Sequence, residues 1–131
     1  MTVTAAQGFV ASGVQARIRK EKRDLAIVRS VPTATGAAMW TQNRVLAAPV
    51  VVSKRHLELA EPQAVVINSG IANAATGAQG EADAIATAEH AAALLGLAPE
   101  QVLLLSTGVI GAPMPMEIGR ASCRERVYSS V

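Results

Sequence analysis

Aromatic residues are almost absent from this 131-residue sequence: Phe9, Trp40 and Tyr128 are the complete set. Half of the residues are apolar, so a core has to be assembled from Ala, Val, Leu and Ile, which suits closely packed helices on a sheet. Cysteine is nearly missing too. The lone Cys123 excludes an internal disulfide framework and any Cys-based metal site, and is compatible with a reducing compartment. Only two histidines occur, His56 and His90, each in a segment that reads as a polar helix face. Neither has a second histidine at metal-ligand spacing, and Glu58 and Glu89 are the nearest acids, so both are expected to be exposed helix residues. A Ser-His-Asp hydrolase is poorly supported on the same grounds. Residues 1–11 lack the basic and apolar regions of a signal peptide, and no apolar run approaches a membrane span, so a soluble cytoplasmic protein is expected.

Charge is unevenly spread. The net charge of +2 resides entirely in residues 118–131, where Arg120, Arg124 and Arg126 face Glu125, and residues 1–117 are balanced. The one dense charged run, residues 17–24, interleaves acids with bases and has no aromatic for base stacking. It reads as a solvated hairpin turn. No nucleic-acid or membrane partner is expected.

Short β runs are expected at residues 9–18, 25–29 and 37–41. The apolar Pro49-Val50-Val51-Val52 leads to Ser53, expected as the N-cap of a short helix through Ala60. Residues 64–67 read as a buried strand ending in Asn68-Ser69-Gly70. The longest periodic segment, residues 80–95, sets Ile85, Ala88, Ala92 and Leu95 on one helical stripe, with Gly96 placed to end it. Pro99-Glu100 opens a further helical turn, and residues 102–105 return as a strand. Strand, helix, strand in this order predicts a right-handed crossover within a layered α/β fold of sheet and helices.

Three segments invite chemical readings. Gly70, Gly77 and Gly80 precede a helix, but no lysine follows and the spacing is not that of a dinucleotide loop. A structural loop tied down by Asn68, Asn73 and Thr76 is the better reading. Ser106 lacks the glycines of a nucleophile elbow. Thr107-Gly108, read as a turn after the last strand, sets a hydroxyl beside an exposed backbone N–H. Such a pair can hold the negative charge that builds on a carbonyl oxygen during acyl transfer, provided a nucleophile comes from elsewhere.

Several blocks occur in an order that resembles the bifunctional ornithine acetyltransferases of arginine biosynthesis, also called glutamate N-acetyltransferases. They begin with Gly8-Phe9, Ala11-Ser12-Gly13-Val14, Asp24-Leu25-Ala26, Thr41-Gln42-Asn43-Arg44-Val45 and Ala48-Pro49-Val50. They continue with Val66-Ile67-Asn68-Ser69-Gly70, Ala72-Asn73-Ala74, Thr76-Gly77, Ser106-Thr107-Gly108-Val109-Ile110-Gly111 and Pro113-Met114-Pro115-Met116. Ala75 stands where many relatives have cysteine.

The resemblance implies a self-cleaving acetyltransferase whose β chain begins with the nucleophilic threonine. It implies N-acetylornithine and glutamate as substrates, acetyl-CoA as a further substrate of bifunctional members, no resident cofactor or metal, and an α/β hetero-oligomer with the β chain of the same precursor. Thr107 and Gly108 match the oxyanion hole; the nucleophile has no counterpart here. Residues 1–117 are therefore expected to be the amino-terminal, α-chain part of the domain, inactive by themselves. Residues 118–127, Ile-Gly-Arg-Ala-Ser-Cys-Arg-Glu-Arg-Val, resemble the translation of a sequencing adapter, so 118–131 are expected to be a non-native tail. A self-processing aminopeptidase-like hydrolase and a non-catalytic binding module are the alternatives.

Overall fold

A computed structural model describes residues 2–117. Its centre is a four-stranded sheet in the order β1-β2-β3-β4, formed by Phe9–Val14, Leu25–Ser30, Ala64–Ile71 and Val102–Val109. Helices α1 (Ala48–Leu59) and α2 (Gly77–Leu95) complete the mixed α/β architecture. β1 pairs antiparallel with β2 and β2 with β3, whereas β3 and β4 run parallel across the α2 connection.

Period-2 alternation turns Leu25, Ile27, Ala64, Val66, Val102 and Leu104 toward one side of the sheet. There they meet Val52 of α1 and Ala84, Ala88, Ala91, Ala92 and Leu95 of α2. The alanines of α2 carry little volume, so the helix can lie close to the strands, and this substitutes for the missing aromatics. Gly96, at φ 68°, ends α2 as expected, and Pro99–Gln101 form a single 3-10 turn.

Three expectations are corrected. Residues 37–41 form no strand. Their connection is held by side chains instead: the Gln63 carboxamide bonds both the N–H and the C=O of Ala34, and Glu61 accepts from the Gly36 N–H. Ser53 is no N-cap, because α1 starts five residues earlier with Pro49 in its first turn, where proline's missing N–H costs nothing. The β-branched run 50–52 is helical because burial of Val52 against the sheet outweighs its propensity. Residues 9–18 are a strand only to Val14; Arg17 has φ 63°.

The charged run does connect antiparallel neighbours, yet one member is far from solvated. Asp24 is buried, and its carboxylate accepts from the Ala16 N–H at 2.5 Å and the Arg19 N–H at 2.7 Å. Its backbone C=O accepts from the Ser69 N–H at 2.8 Å, which carries the β2–β3 ladder one step beyond the Leu25–Asn68 pair. The expected tail, residues 118–131, lies outside the described residues.

Candidate functional site

β4 is an edge strand, and α1 covers only its first half. Ser53 Oγ donates to the Leu104 C=O at 3.0 Å and accepts from the Leu104 N–H at 2.8 Å. One turn on, His56 Nδ1 lies 2.9 Å from the Val102 C=O. Side chains of α1 thus occupy the ladder positions that a fifth strand would take, one way of blunting an edge. This corrects the expectation for His56, which is buried and structural. A polar residue at helical spacing gives no local sign of burial, and the edge that His56 meets is remote in sequence.

Thr107 and Gly108 lie within β4, not in a turn after it: the strand runs on to Val109, in register with Ser69, Gly70 and Ile71 of β3. Both are exposed. Backbone groups alternate in direction along a strand, so the N–H of Gly108 emerges on the same edge as that of Leu104, beyond the reach of α1. Side chains alternate between faces, which puts the Thr107 hydroxyl on the face away from the helices, beside Ser69. A hydroxyl on the sheet face and an N–H on the sheet edge thus lie on adjacent residues at the uncovered end of β4. On that same face Leu105 and Val109 are 56% and 60% exposed, an apolar surface without a covering layer among the described residues.

Gly108 has φ 132° and Gly70, its partner, φ 122°. A Cβ on Gly108 would overlap the Gly70 carbonyl and come within 2.7 Å of the Ile71 N. Beside this pair, Asn68 is buried and bonds Ser106 Oγ and the Ile71 C=O. In the loop before α2, Asn73 Nδ2 donates to the Gly80 C=O and Thr76 Oγ1 donates to Asn73 Oδ1. The expected structural loop is present, with Asn73 and Ala75 at φ 49° and 55°.

A cleft of about 680 Å³, its open mouth included, lies on the helix face between α2, the sheet and residues 114–116. It includes Asn68, Ser106, Thr87 and His90 but neither Thr107 nor Gly108. His90 lines it, half-buried, with Nε2 buried and unbonded among the described residues, which corrects the expectation of a fully exposed histidine. No three His, Cys, Asp or Glu residues gather as a metal site among the described residues, and no helix among them is long and apolar enough to cross a membrane.

Fold and site define a mixed α/β protein that presents a threonine–glycine pair on the exposed end of an edge strand. Residues 10–130 match the family model described as the ArgJ family, and the chain belongs to that family. It is 50% identical over 111 residues, 85% of this chain, to the arginine biosynthesis bifunctional protein ArgJ of Caldanaerobacter subterraneus subsp. tengcongensis. That stretch is 28% of the relative, and in other curated relatives the share is 31%, so the chain spans less than a third of the proteins it matches.

Among solved structures, the bifunctional ArgJ of Bacillus halodurans superposes with a TM-score of 0.92 at 35% identity, over 95% of this chain and 66% of that one. The ornithine acetyltransferase of Mycobacterium tuberculosis, solved in complex with ornithine, gives 0.86 at 42% identity, over 91% of this chain and 65% of that one.

Proposed function

We propose that the chain is the amino-terminal part of an acetyltransferase that moves the acetyl group of N-acetylornithine to glutamate, and that Thr107 and Gly108 are its oxyanion hole. The likeness to the ornithine-bound acetyltransferase carries this reading. In the first half-reaction a threonine hydroxyl, at the amino terminus of a β chain, adds to the acetyl carbonyl. The threonine's own amine takes the hydroxyl proton and returns it to the departing ornithine amine. The Thr107 hydroxyl and the Gly108 N–H donate to the oxygen while it is negatively charged. In the second half-reaction the glutamate amine attacks the acyl-threonine, and the same two donors serve again.

Self-cleavage has support of its own. This chain fills about two thirds of each solved polypeptide but under a third of the curated proteins, the relation that a precursor cut in two would give. The β chain of the same precursor is the natural partner, in a cytoplasmic α/β hetero-oligomer, and acetyl-CoA is a second acetyl donor in bifunctional members. On this reading the nucleophile belongs to the β chain, and the 131-residue chain is inactive alone.

The test is to express the intact precursor beside the 131-residue chain and follow acetyl transfer from N-acetylornithine to glutamate. Transfer by the precursor alone, with a new amino-terminal threonine on its smaller product, is the expected result. Acetate release without glutamate acetylation would favour a hydrolase, and an inert intact protein a binding module. Long reads of the source DNA across the Glu117 codon test whether residues 118–131 are an appended tail.

A further inference from the structure

Below Thr107 and Gly108, on the helix face of the sheet, two side chains bridge β3 and β4. Ser106 Oγ donates to Asn68 Oδ1 at 2.5 Å, and Asn68 Nδ2 donates to the C=O of Ile71 at 2.8 Å. The second bond is the informative one. In a regular strand, residues three apart are separated by roughly 10 Å, beyond the span of an asparagine side chain. Asn68 reaches Ile71 because β3 departs from regular geometry at Gly70, φ 122°. Its carboxamide closes that departure like a strap. Through Ser106 it also grips β4 one residue before Thr107.

The neighbouring supports leave a gap that this strap fills. Upstream, α1 holds the outer edge of β4 at Val102 and Leu104. Downstream, the Ala72 N–H donates to the Val109 C=O. Between these points β4 carries Gly108 at φ 132°, in close backbone contact with Gly70. Any relaxation of the Gly70 kink therefore moves Gly108, and the aim of its N–H with it.

Resting on the reading of Thr107 and Gly108 as the oxyanion hole, we propose that Asn68 and Ser106 are positioning residues for it. They hold the β3 kink against β4 so that the Gly108 N–H and the Thr107 hydroxyl converge on one point. They act through the backbone: both side chains face α2 and line the cleft there, while Thr107 is on the opposite face. The Ser106 hydroxyl is committed as a donor to Asn68, which also accounts for a serine beside the site that is not the nucleophile.

The test uses the intact precursor, with rates normalised to active sites counted from the acetyl-enzyme burst. Asn68→Asp keeps the acceptor for Ser106 but sets a carboxylate oxygen against the Ile71 C=O. We expect kcat to fall about a hundredfold, the effect of a misplacement near 1 Å, with KM held within about threefold. Ser106→Ala, the milder change, lowers kcat about tenfold, and Ser106→Thr restores it. In a Thr107→Ala background, Asn68→Asp adds little further loss, because the groups act as a unit. Lower yield and melting temperature with unchanged kcat per active site, or equal kcat losses in both backgrounds, would mark a purely structural role, and either result overturns the proposal. If wild type transfers acetyl groups and Thr107→Ala transfers them equally well, the oxyanion assignment itself fails, which is distinct from failure of the Asn68 variants alone.

Discussion

Gly70 and Gly108 face each other across the parallel β3–β4 pair so closely that a methyl group on Gly108 would overlap the Gly70 carbonyl. Both have φ values outside the range comfortable for side-chain-bearing residues, 122° and 132°. The strand end that presents Thr107 depends on this contact.

Gly108→Ala should therefore cost stability twice over, through backbone strain of about 1–3 kcal/mol and through displacement of Gly70. Urea denaturation of the intact precursor is expected to show a clearly lower midpoint together with lost transfer activity. An alanine variant of wild-type stability would show that the two strands can separate freely.

Thr107→Ala separates chemistry from folding. The side chain is exposed, so stability should change by no more than about 0.5 kcal/mol. Loss of one oxyanion donor lowers kcat about 10²- to 10³-fold. Thr107→Ser, which keeps the hydroxyl, should retain most of the activity. Steady-state kinetics with N-acetylornithine decide the matter, and an alanine variant of normal kcat would remove Thr107 from the site.

Ser53→Ala tests the covered half of β4. The substitution leaves the N–H and C=O of Leu104 without their partner, both in the buried contact between α1 and β4. Unpaired buried groups cost about 1–3 kcal/mol each, so the expected loss lies in that range or above it. Hydrogen exchange at the Leu104 amide should accelerate more than at amides of the β2–β3 pair. Uniform acceleration would indicate global destabilisation without local edge opening.

Asp24→Ala removes the acceptor of two backbone donors, the Ala16 and Arg19 N–H groups. Destabilisation of about 1–3 kcal/mol is expected, with proteolysis appearing first in the β1–β2 loop. Unchanged protease resistance there would mean that the loop is held by the backbone bond between Asp24 and Ser69 and by the packing of Ile18 and the Arg19 side chain on Gly70.

Regular elements were legible where one physical signal dominated. The 3.6-residue stripe and Gly96 marked α2, and the apolar runs at 64–67 and 102–105 marked the parallel pair. Residues 37–41 misled because a short apolar run has the same local pattern whether or not a neighbouring strand is free to pair. Ser53 misled because its partner, Leu104, is 51 residues away. His56 was misjudged for the same reason, with Val102 46 residues distant.

Sequence alone determined the strand, helix, strand order from β3 to β4, the reliance on Ala, Val, Leu and Ile for the core, and membership of the family whose blocks recur from Gly8 to Met116. These depend on local periodicity and residue identity, which the chain carries at every point. Tertiary structure decided which polar side chains are structural and which stay free. Ser53 and His56 are consumed by the edge of β4, Asn68 and Ser106 by each other, and Thr107 is left exposed. A hydrogen bond depends on angstrom-scale separation of groups far apart in sequence, and only the folded backbone sets that separation.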